Sequence, residues 1–291
     1  MWMRLLYAGL GLLLAAPVAA APSKPAMAWT LMDKSGLDTT ISYLPDQFHQ
    51  GIDQASQSSP LPAEAQAAMR KATDEVFAPE VIREEVHARI VDRVSKENMQ
   101  EVMRFLNTEL GRKVVSLEEA AASPEASQKA LQQVSTLRRQ YRENNPERLQ
   151  LVDDYIATTR ANKFTTDFVV NMQTALTAGM LQALSPEQAP PVDEIRKQIE
   201  QNRFQIEGQV GQMLSAQFLY AYRDATNQEL RDYLEFLGSP AGEMFGRKLA
   251  AILDETMTRR SRTFGQEFGG YLQEAGSESE GSGAESSPRE G

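Results

Sequence analysis

Apolar side chains recur every three or four residues along most of this chain, and this spacing is the strongest constraint on its fold. Met99, Val102 and Leu106, for example, follow the i, i+3, i+7 spacing that places side chains on one face of an α-helix. Runs in which apolar and polar residues alternate, as in a half-buried β-strand, are hard to find. The sequence therefore predicts an all-α fold.

The first 20 residues have the three parts of a secretory signal peptide. Arg4 supplies the positive charge, an apolar run covers residues 5–16, and small residues lie around Val18 and Ala20. This apolar run is shorter than the roughly 20 residues of a membrane-spanning helix. We expect cleavage before Ala21 and export to the periplasm, and the alternative is a retained anchor.

Two counts restrict the chemistry of the chain. It contains no cysteine, which excludes a disulfide, a thiolate nucleophile and lipid attachment to cysteine. Its net charge of -10 favours solubility and argues against a nucleic-acid-binding surface. We therefore expect no nucleic-acid partner.

The apolar spacing and the positions of proline divide the chain into helices of different length. Residues 31–52 are predicted to form a first helix with a kink or break at Pro45. Residues 146–184 and residues 195–223 are predicted to form two long helices, separated by a proline-rich hinge. The chain thus alternates long helices with short ones.

Two short stretches of sequence correspond when the chain is shifted by 131 residues. Ser95 then aligns with Thr226, and both residue types cap the start of a helix. Each stretch also contains the pair Phe-Leu, and a glycine follows five residues after the leucine. The aligned residues are Phe105, Leu106 and Gly111 in the first stretch and Phe236, Leu237 and Gly242 in the second. Because any two amphipathic helices share periodicity, the shared cap, turn and glycine carry the argument for a duplication.

The second stretch has the stronger local signals. Thr226 and Glu229 have the spacing of a capping box, in which each side chain accepts a backbone N–H at the helix start. Gly238, Ser239 and Pro240 end one helix and begin the next, with the glycine suited to a left-handed conformation. Gly242, which has no Cβ, would allow the two helices to approach closely.

These features divide the chain into two related multi-helix units. The first covers residues 30–123, the second covers residues 146–273, and a connecting helix at residues 124–145 joins them. Each unit is expected to combine long helices with one short capped helix-turn-helix segment. Residues 274–291 are rich in glycine, serine and glutamate, so we predict a disordered acidic tail.

Residues 217–249 resemble the bacterial domain-of-unknown-function family numbered 2059. The resemblance rests on QFLYAYR at residues 217–223 followed by TNQELRDYLEFLGSPAGEMFGRKL. Residues 95–115 are a weaker match, since Thr108 and Glu109 replace the Ser-Pro pair. The resemblance implies an exported, mostly helical protein and supplies no catalytic residue.

No catalytic, cofactor or metal-binding motif is present in the sequence. His49 and His87 are its two histidines, and neither has a partner at metal-ligand spacing. We interpret His87 as a solvated helix position. The H-E-x-x-H and G-x-S-x-G motifs and the phosphate-binding glycine loops are absent. We therefore predict no catalytic residue, no cofactor and no metal site.

Adjacent carboxylates occur at three places, which are Glu84-Glu85, Glu118-Glu119 and Asp153-Asp154. Neighbouring residues on a helix point in different directions, so we interpret these pairs as parts of solvated faces. The alternative is a hydrolase that brings carboxylates together from distant segments.

Tyr220, Tyr222 and Arg223 lie just before the capped helix of the second stretch. The Arg223 guanidinium could stack on an aromatic ring or pair with Glu235, and its simplest role is to tie two helices together. The alternative is contact with a ligand.

Arg259, Arg260 and Arg262 form the densest basic stretch of the chain. One interpretation is a solvated face near the C-terminal end of a helix, where cations are favoured. The other is contact with anionic lipid or with a cell-wall polymer.

Three functions are compatible with these observations. The leading hypothesis is a non-enzymatic envelope protein that binds a partner protein or an apolar ligand in grooves between long helices. The second is an envelope or cell-wall hydrolase, and the third is peripheral membrane association through the basic stretch. The sequence leaves the oligomeric state open.

Overall fold

The computed structural model describes residues 22–58 and 62–284, and over these ranges the fold is all-α, as predicted. Fourteen α-helices and one 3₁₀ turn are present there, without any strand. The helices are α1 (Lys24–Lys34), α2 (Leu37–Ser42), α3 (Leu44–Ser58), α4 (Ala63–Val76), α5 (Pro79–Arg93), α6 (Lys96–Leu106), α7 (Glu109–Ala121), α8 (Pro124–Asn144), α9 (Pro146–Thr159), α10 (Ala161–Leu184), α11 (Val192–Glu200), α12 (Arg203–Ala221), α13 (Asn227–Leu237) and α14 (Pro240–Ala284). The 3₁₀ turn, Tyr222–Asp224, follows α12.

The prediction of residues 146–184 and 195–223 as single helices is wrong, because each is broken into two. Residues 31–52 are broken next to Pro45, as predicted, and also at Gly36, which was not predicted. Gly36 has a φ of 70° and separates α1 from α2, while Pro45 lies in the first turn of α3. Arg160 has a φ of 53° and separates α9 from α10. A left-handed residue cannot continue a right-handed helix. Residues 201 and 202 form a turn between α11 and α12.

The described residues form two hydrophobic cores, and each one contains helices from both predicted units. In the larger core, Leu31 of α1 packs with Ile252 and Phe264 of α14. In the smaller core, Val114 of α7 packs with Leu230 of α13. Helix α14 therefore completes a core that consists mainly of first-unit helices, and α7 completes a core of second-unit helices.

Helices α10 and α14 pack against each other through glycines. A Cβ atom added at Gly265 would lie 2.3 Å from the carbonyl oxygen of Leu176, and one added at Gly179 would lie 2.1 Å from the carbonyl oxygen of Arg262. No larger residue fits such a contact without moving a backbone. Gly179 and Gly265 thus allow α10 and α14 to pack closely.

We call α6–α7 the first helix pair and the α13–α14 junction the second helix pair. Both have hydroxyl caps at the start of each helix. In each case the hydroxyl oxygen accepts the backbone N–H three residues later: Ser95 from Asn98, Thr108 from Gly111, Thr226 from Glu229 and Ser239 from Gly242. Thr226 and Glu229 form the predicted capping box. The two pairs therefore begin their helices in the same way.

The turns within the two pairs also have the same backbone conformation. Gly238 has φ -80° and ψ -6°, and Asn107, its equivalent in the first pair, has φ -83° and ψ -7°. The expected left-handed conformation of Gly238 is therefore wrong. Since Asn107 takes the same angles, this turn does not depend on glycine.

The glycine that follows each turn permits the close approach that the sequence suggested. A Cβ atom at Gly111 would lie 2.1 Å from the carbonyl oxygen of Phe105, and one at Gly242 would lie 2.2 Å from that of Phe236. The rings of Phe105 and Phe236 stack on each other, with centroids 3.8 Å apart. The two helix pairs thus meet at equivalent residues, while duplication of the whole units stays a prediction.

Helix α14 continues to Ala284, so residues 274–284, which we expected to be disordered, are helical. Adding residues to an existing helix needs no new nucleation, which favours this extension. The predicted signal peptide at residues 1–20 and the last seven residues, 285–291, lie outside the described ranges. Within those ranges, no helix combines the length and the apolar character needed to cross a membrane.

Candidate functional site

A carboxylate surrounded by tyrosines lies between α7, α9 and α13, beside the end of α12. Glu118 accepts hydrogen bonds at one oxygen, Oε1, from the hydroxyls of Tyr222 and Tyr233, and the Tyr233 distance is 2.9 Å. The Tyr155 ring lies nearby, with its centroid 5.8 Å from Tyr222 and 6.0 Å from Tyr233. We call these four residues the tyrosine cluster.

Burial controls the ionisation of the tyrosine cluster. It raises the pKa of Glu118 above its ordinary value, although the hydrogen bonds from Tyr222 and Tyr233 lower the pKa in part. Burial, and then the nearby charge of Glu118, raise the pKa of all three tyrosines. The tyrosines therefore stay protonated and available as hydrogen-bond donors.

Arg148 fixes the backbone that carries Tyr222. Its side chain is buried, and it donates hydrogen bonds to the carbonyl oxygens of Tyr222, at 3.0 Å, and of Ala225. These carbonyls lie in the short segment between α12 and α13, where the Tyr222 carbonyl also accepts the backbone N–H of Ala225 at 3.0 Å. Burial lowers the pKa of the Arg148 guanidinium. Arg148 thus helps to place the Tyr222 hydroxyl on Glu118.

The tyrosine cluster lines part of a pocket of about 600 Å³, which we call the tyrosine pocket. Among the residues described, Glu118 is the one carboxylate in its lining. Most of the other walls are apolar, and they include Val102, Phe105, Leu106, Phe218, Phe236, Phe245 and Leu249.

A second pocket, of about 800 Å³, adjoins the first and is called the apolar pocket here. Leu37, Thr40 and Gln217 line both pockets. Its apolar walls come from Leu44, Ile82, Phe164, Phe168, Leu253 and Met257. A smaller pocket, of about 270 Å³, shares residues with each of them.

We refer to these three adjoining pockets as the central groove. Its two larger parts have the size and the mostly apolar lining of small-molecule sites. The tyrosine hydroxyls and the Glu118 carboxyl lie in the lining of the tyrosine pocket, and the lining of the apolar pocket includes the charged residues Asp167, Arg196, Arg247 and Asp254. Such a groove suits a long apolar molecule that also has a polar group.

The structure separates the three predicted interaction residues of the second unit. Tyr222 is buried in the tyrosine cluster. The Arg223 guanidinium lies over the Tyr220 ring, 4.2 Å from its centroid, as predicted. Its ion-pair partner is Asp224, at 3.5 Å, and not Glu235. Tyr222 alone among these residues faces the central groove.

The basic stretch of α14 is not a uniform solvated face. Arg259 and Arg260 both pair with Glu85, and the Arg260 distance is 3.1 Å. The side chain of Glu85 is only 11% exposed. The Arg262 side chain has no hydrogen bond or ion pair to any residue in the described ranges. Our interpretation of the stretch as a solvated face therefore holds best for Arg262.

Sequence reasoning missed two residues of this candidate site, Glu118 and Arg148. Interpreting the pairs that contain Glu85 and Glu118 as parts of solvated faces was wrong, because Glu85 binds arginines and Glu118 binds tyrosines. One signal was present, since Glu118 lies four residues after Val114, on the buried face of α7. No comparable local signal marked Arg148.

The two histidines make contacts within the protein. His87 stacks on Trp29 with centroids 4.0 Å apart, and its Nε2 lies 2.9 Å from the carbonyl oxygen of Pro25. His87 is therefore not a fully solvated position. His49 lies 3.1 Å from Asp74. In the part of the chain that the structure describes, no group of three or more metal-ligating side chains is assembled.

Comparisons with protein-family models, with curated proteins and with solved structures found no match to this chain. The function must therefore be argued from the site itself.

Proposed function

We propose that this protein is a non-enzymatic binding protein of the cell envelope, which holds a long apolar ligand in the central groove. The observation that carries this proposal is the pair of adjoining, mostly apolar pockets of about 600 and 800 Å³ between the helices. An apolar ligand would cover side chains that water otherwise contacts, and burial of apolar area drives binding. The envelope location rests on the predicted signal peptide.

Two glycines give a matched test of the groove. Gly246 lies in the lining of the tyrosine pocket and of the smaller pocket, and a Cβ atom added there meets nothing within 4 Å, so Gly246→Leu would place its side chain in this part of the groove without a backbone clash. Gly208 also has open space around an added Cβ, but it does not line the groove. Gly208→Leu is therefore the control.

The measurement is titration with N-phenylnaphthylamine, a neutral dye whose fluorescence rises in apolar surroundings. We expect saturable binding to the wild type and to Gly208→Leu, and at least tenfold weaker binding to Gly246→Leu. Equal binding to all three proteins would reject the groove as the site. Native mass spectrometry of protein purified from the envelope should also show a bound apolar molecule that is lost on delipidation.

A hydrolase is the second candidate, because a carboxyl with a raised pKa that faces a pocket is a common feature of catalytic sites. This candidate predicts turnover of cell-wall fragments by the wild type and its loss in Glu118→Gln. Dye binding in the groove would survive that substitution, so the two candidates are separable.

A further inference from the structure

A fourth pocket carries an excess of positive charge, although the chain as a whole is acidic. This arginine pocket has a volume of about 580 Å³ and lies between α5, α10, α11 and α14. Its charged lining consists of Arg89, Arg196, Arg259 and Arg262 against Asp254 and Glu255. The whole chain has a net charge of -10. A cationic pocket on such a chain favours an anionic ligand.

Of the two carboxylates in the lining, Glu255 is already engaged by arginines and Asp254 is hydrogen-bonded to Asn171. Glu255 pairs with Arg89 and with Arg93, each at 2.7 Å. Glu85, which lies outside the pocket lining, binds Arg259 and Arg260. These carboxylates neutralise only part of the arginine charge.

Two arginines keep guanidinium groups available. Arg262 is exposed and has no partner among the described side chains. Arg196 donates a hydrogen bond to Asn171 Oδ1 at 2.8 Å, and its nearest carboxylate, Glu200, is 3.7 Å away. Guanidinium groups bind carboxylates and phosphates with paired hydrogen bonds.

The arginine pocket shares a wall with the apolar pocket of the central groove. Arg196, Asn171 and Asp254 line both of them. Asn171 Nδ2 donates to both carboxylate oxygens of Asp254, at 2.9 and 3.0 Å, so the three side chains form one hydrogen-bonded chain. The apolar pocket is thus bounded on one side by these polar side chains. The Arg196 guanidinium lies at this boundary, and Arg262 lies in the adjoining arginine pocket.

We propose that the ligand of the central groove is an anionic amphiphile, with its apolar chain in the apolar pocket and its carboxylate or phosphate group at Arg196 and Arg262. This proposal rests on the proposed function, because it places the apolar part in the same groove. It adds the charge of the ligand and the direction in which the ligand lies.

The test is displacement of N-phenylnaphthylamine by dodecyl phosphate and by dodecanol, both below their micelle concentrations. We expect dodecyl phosphate to compete at least tenfold better than dodecanol. In the double variant Arg196→Gln, Arg262→Gln this preference should fall about tenfold, with dodecanol competition unchanged. Arg139→Gln is the matched control, because Arg139 is an exposed arginine on α8 outside every groove pocket. Far-ultraviolet circular dichroism checks that each variant is folded.

Each other outcome has a distinct meaning. Equal competition by the phosphate and the alcohol would overturn the anionic assignment while the groove function stands. Competition by inorganic phosphate as strong as that of dodecyl phosphate would overturn it as well, since the apolar chain would then contribute nothing. Failure of the dye to bind the wild type would instead remove the proposed function. Binding to vesicles of anionic lipid, without displacement by monomeric dodecyl phosphate, would reassign the arginines to a membrane surface and overturn the proposal.

Discussion

The first and second helix pairs share their backbone geometry but differ in the side chains that cross between them. Asn98 of the first pair donates to the Ala241 carbonyl oxygen at the start of α14, at 3.1 Å. Glu229, at the equivalent position of the second pair, accepts from Lys113 of α7 at 2.6 Å. One crossing is a neutral, buried hydrogen bond, and the other is a partly exposed ion pair. Caps and close glycine contacts thus specify the turn, while the chemistry at equivalent positions differs.

Substitution of the two glycines that allow the close approach should produce the largest loss of stability. Gly111→Ala and Gly242→Ala each place a Cβ atom against a backbone carbonyl that cannot move freely, so each should lower the free energy of unfolding by about 3 kcal/mol. Gly246→Ala is the control and should raise stability by up to about 1 kcal/mol, because alanine favours a helix and meets no neighbour. Urea unfolding measures all three. A loss at only one of the two glycines would break the equivalence of the turns.

The next largest loss of stability is expected when the neutral hydrogen bond from Asn98 to the Ala241 carbonyl is removed. Asn98→Ala leaves the Ala241 carbonyl without this donor in a buried site, which should cost about 1–2 kcal/mol. The loss should be the same at pH 4 and at pH 8, since no charge is involved. Asn107→Ala, at an exposed position of the same turn, should change stability by less than about 0.5 kcal/mol. A pH-dependent loss at residue 98 would contradict this account of the crossing.

Glu118 and Leu249 also occupy equivalent positions, and only Glu118 can titrate. Because the folded pKa of Glu118 is raised, its contribution favours the folded state at low pH and is lost as pH rises through the folded pKa. Glu118→Gln keeps an oxygen that accepts from the tyrosines but removes the charge. Its melting temperature should match the wild type near pH 4 and exceed it near pH 8. A Glu118→Gln protein that is less stable at pH 8 would show that the charge stabilises the cluster.

The ion pair at Glu229 should show the opposite trend. Lys113 lowers the pKa of Glu229, so its stabilising contribution is present above the unfolded pKa and is lost as pH falls through the folded one. Glu229→Gln keeps the capping hydrogen bond and should cost at most about 1 kcal/mol at pH 7, because the pair is partly exposed. Thermal unfolding at pH 7 and pH 3 measures the difference, which should shrink at pH 3. An undiminished loss would assign the effect to the cap.

The smallest effect is expected at Gly238. Gly238→Asn introduces the residue that the first pair has at this position, in a conformation that asparagine already adopts there. Stability should change by less than about 0.5 kcal/mol in urea unfolding. A large loss would mean that the two turns differ in a way that their φ and ψ angles do not show.

Local signals in the sequence were enough to predict the helical class, the caps at Ser95 and Thr226 and the close approach at Gly242. The capping box at Thr226 and the close approach at Gly242 each depend on residues within a few positions of one another. The break at Arg160 was not predicted, because arginine has no special preference for a left-handed conformation.

The candidate site was less accessible to sequence reasoning, because its contacts are long-range. The hydroxyls that bind Glu118 come from residues 104 and 115 positions later. The carbonyls that bind Arg148 lie 74 and 77 positions later. Such pairings follow from the tertiary packing, which no local pattern of residues contains.

The place of α14 in the larger core determines the order in which the molecule can assemble. Met27 and Leu31, near the beginning of the described chain, bury their side chains with Met257 and Phe264, near its end. Contacts over such long separations form late in folding, because closing a large loop costs entropy. The N-terminal helices therefore cannot finish their core during synthesis and must wait until the last long helix has been made.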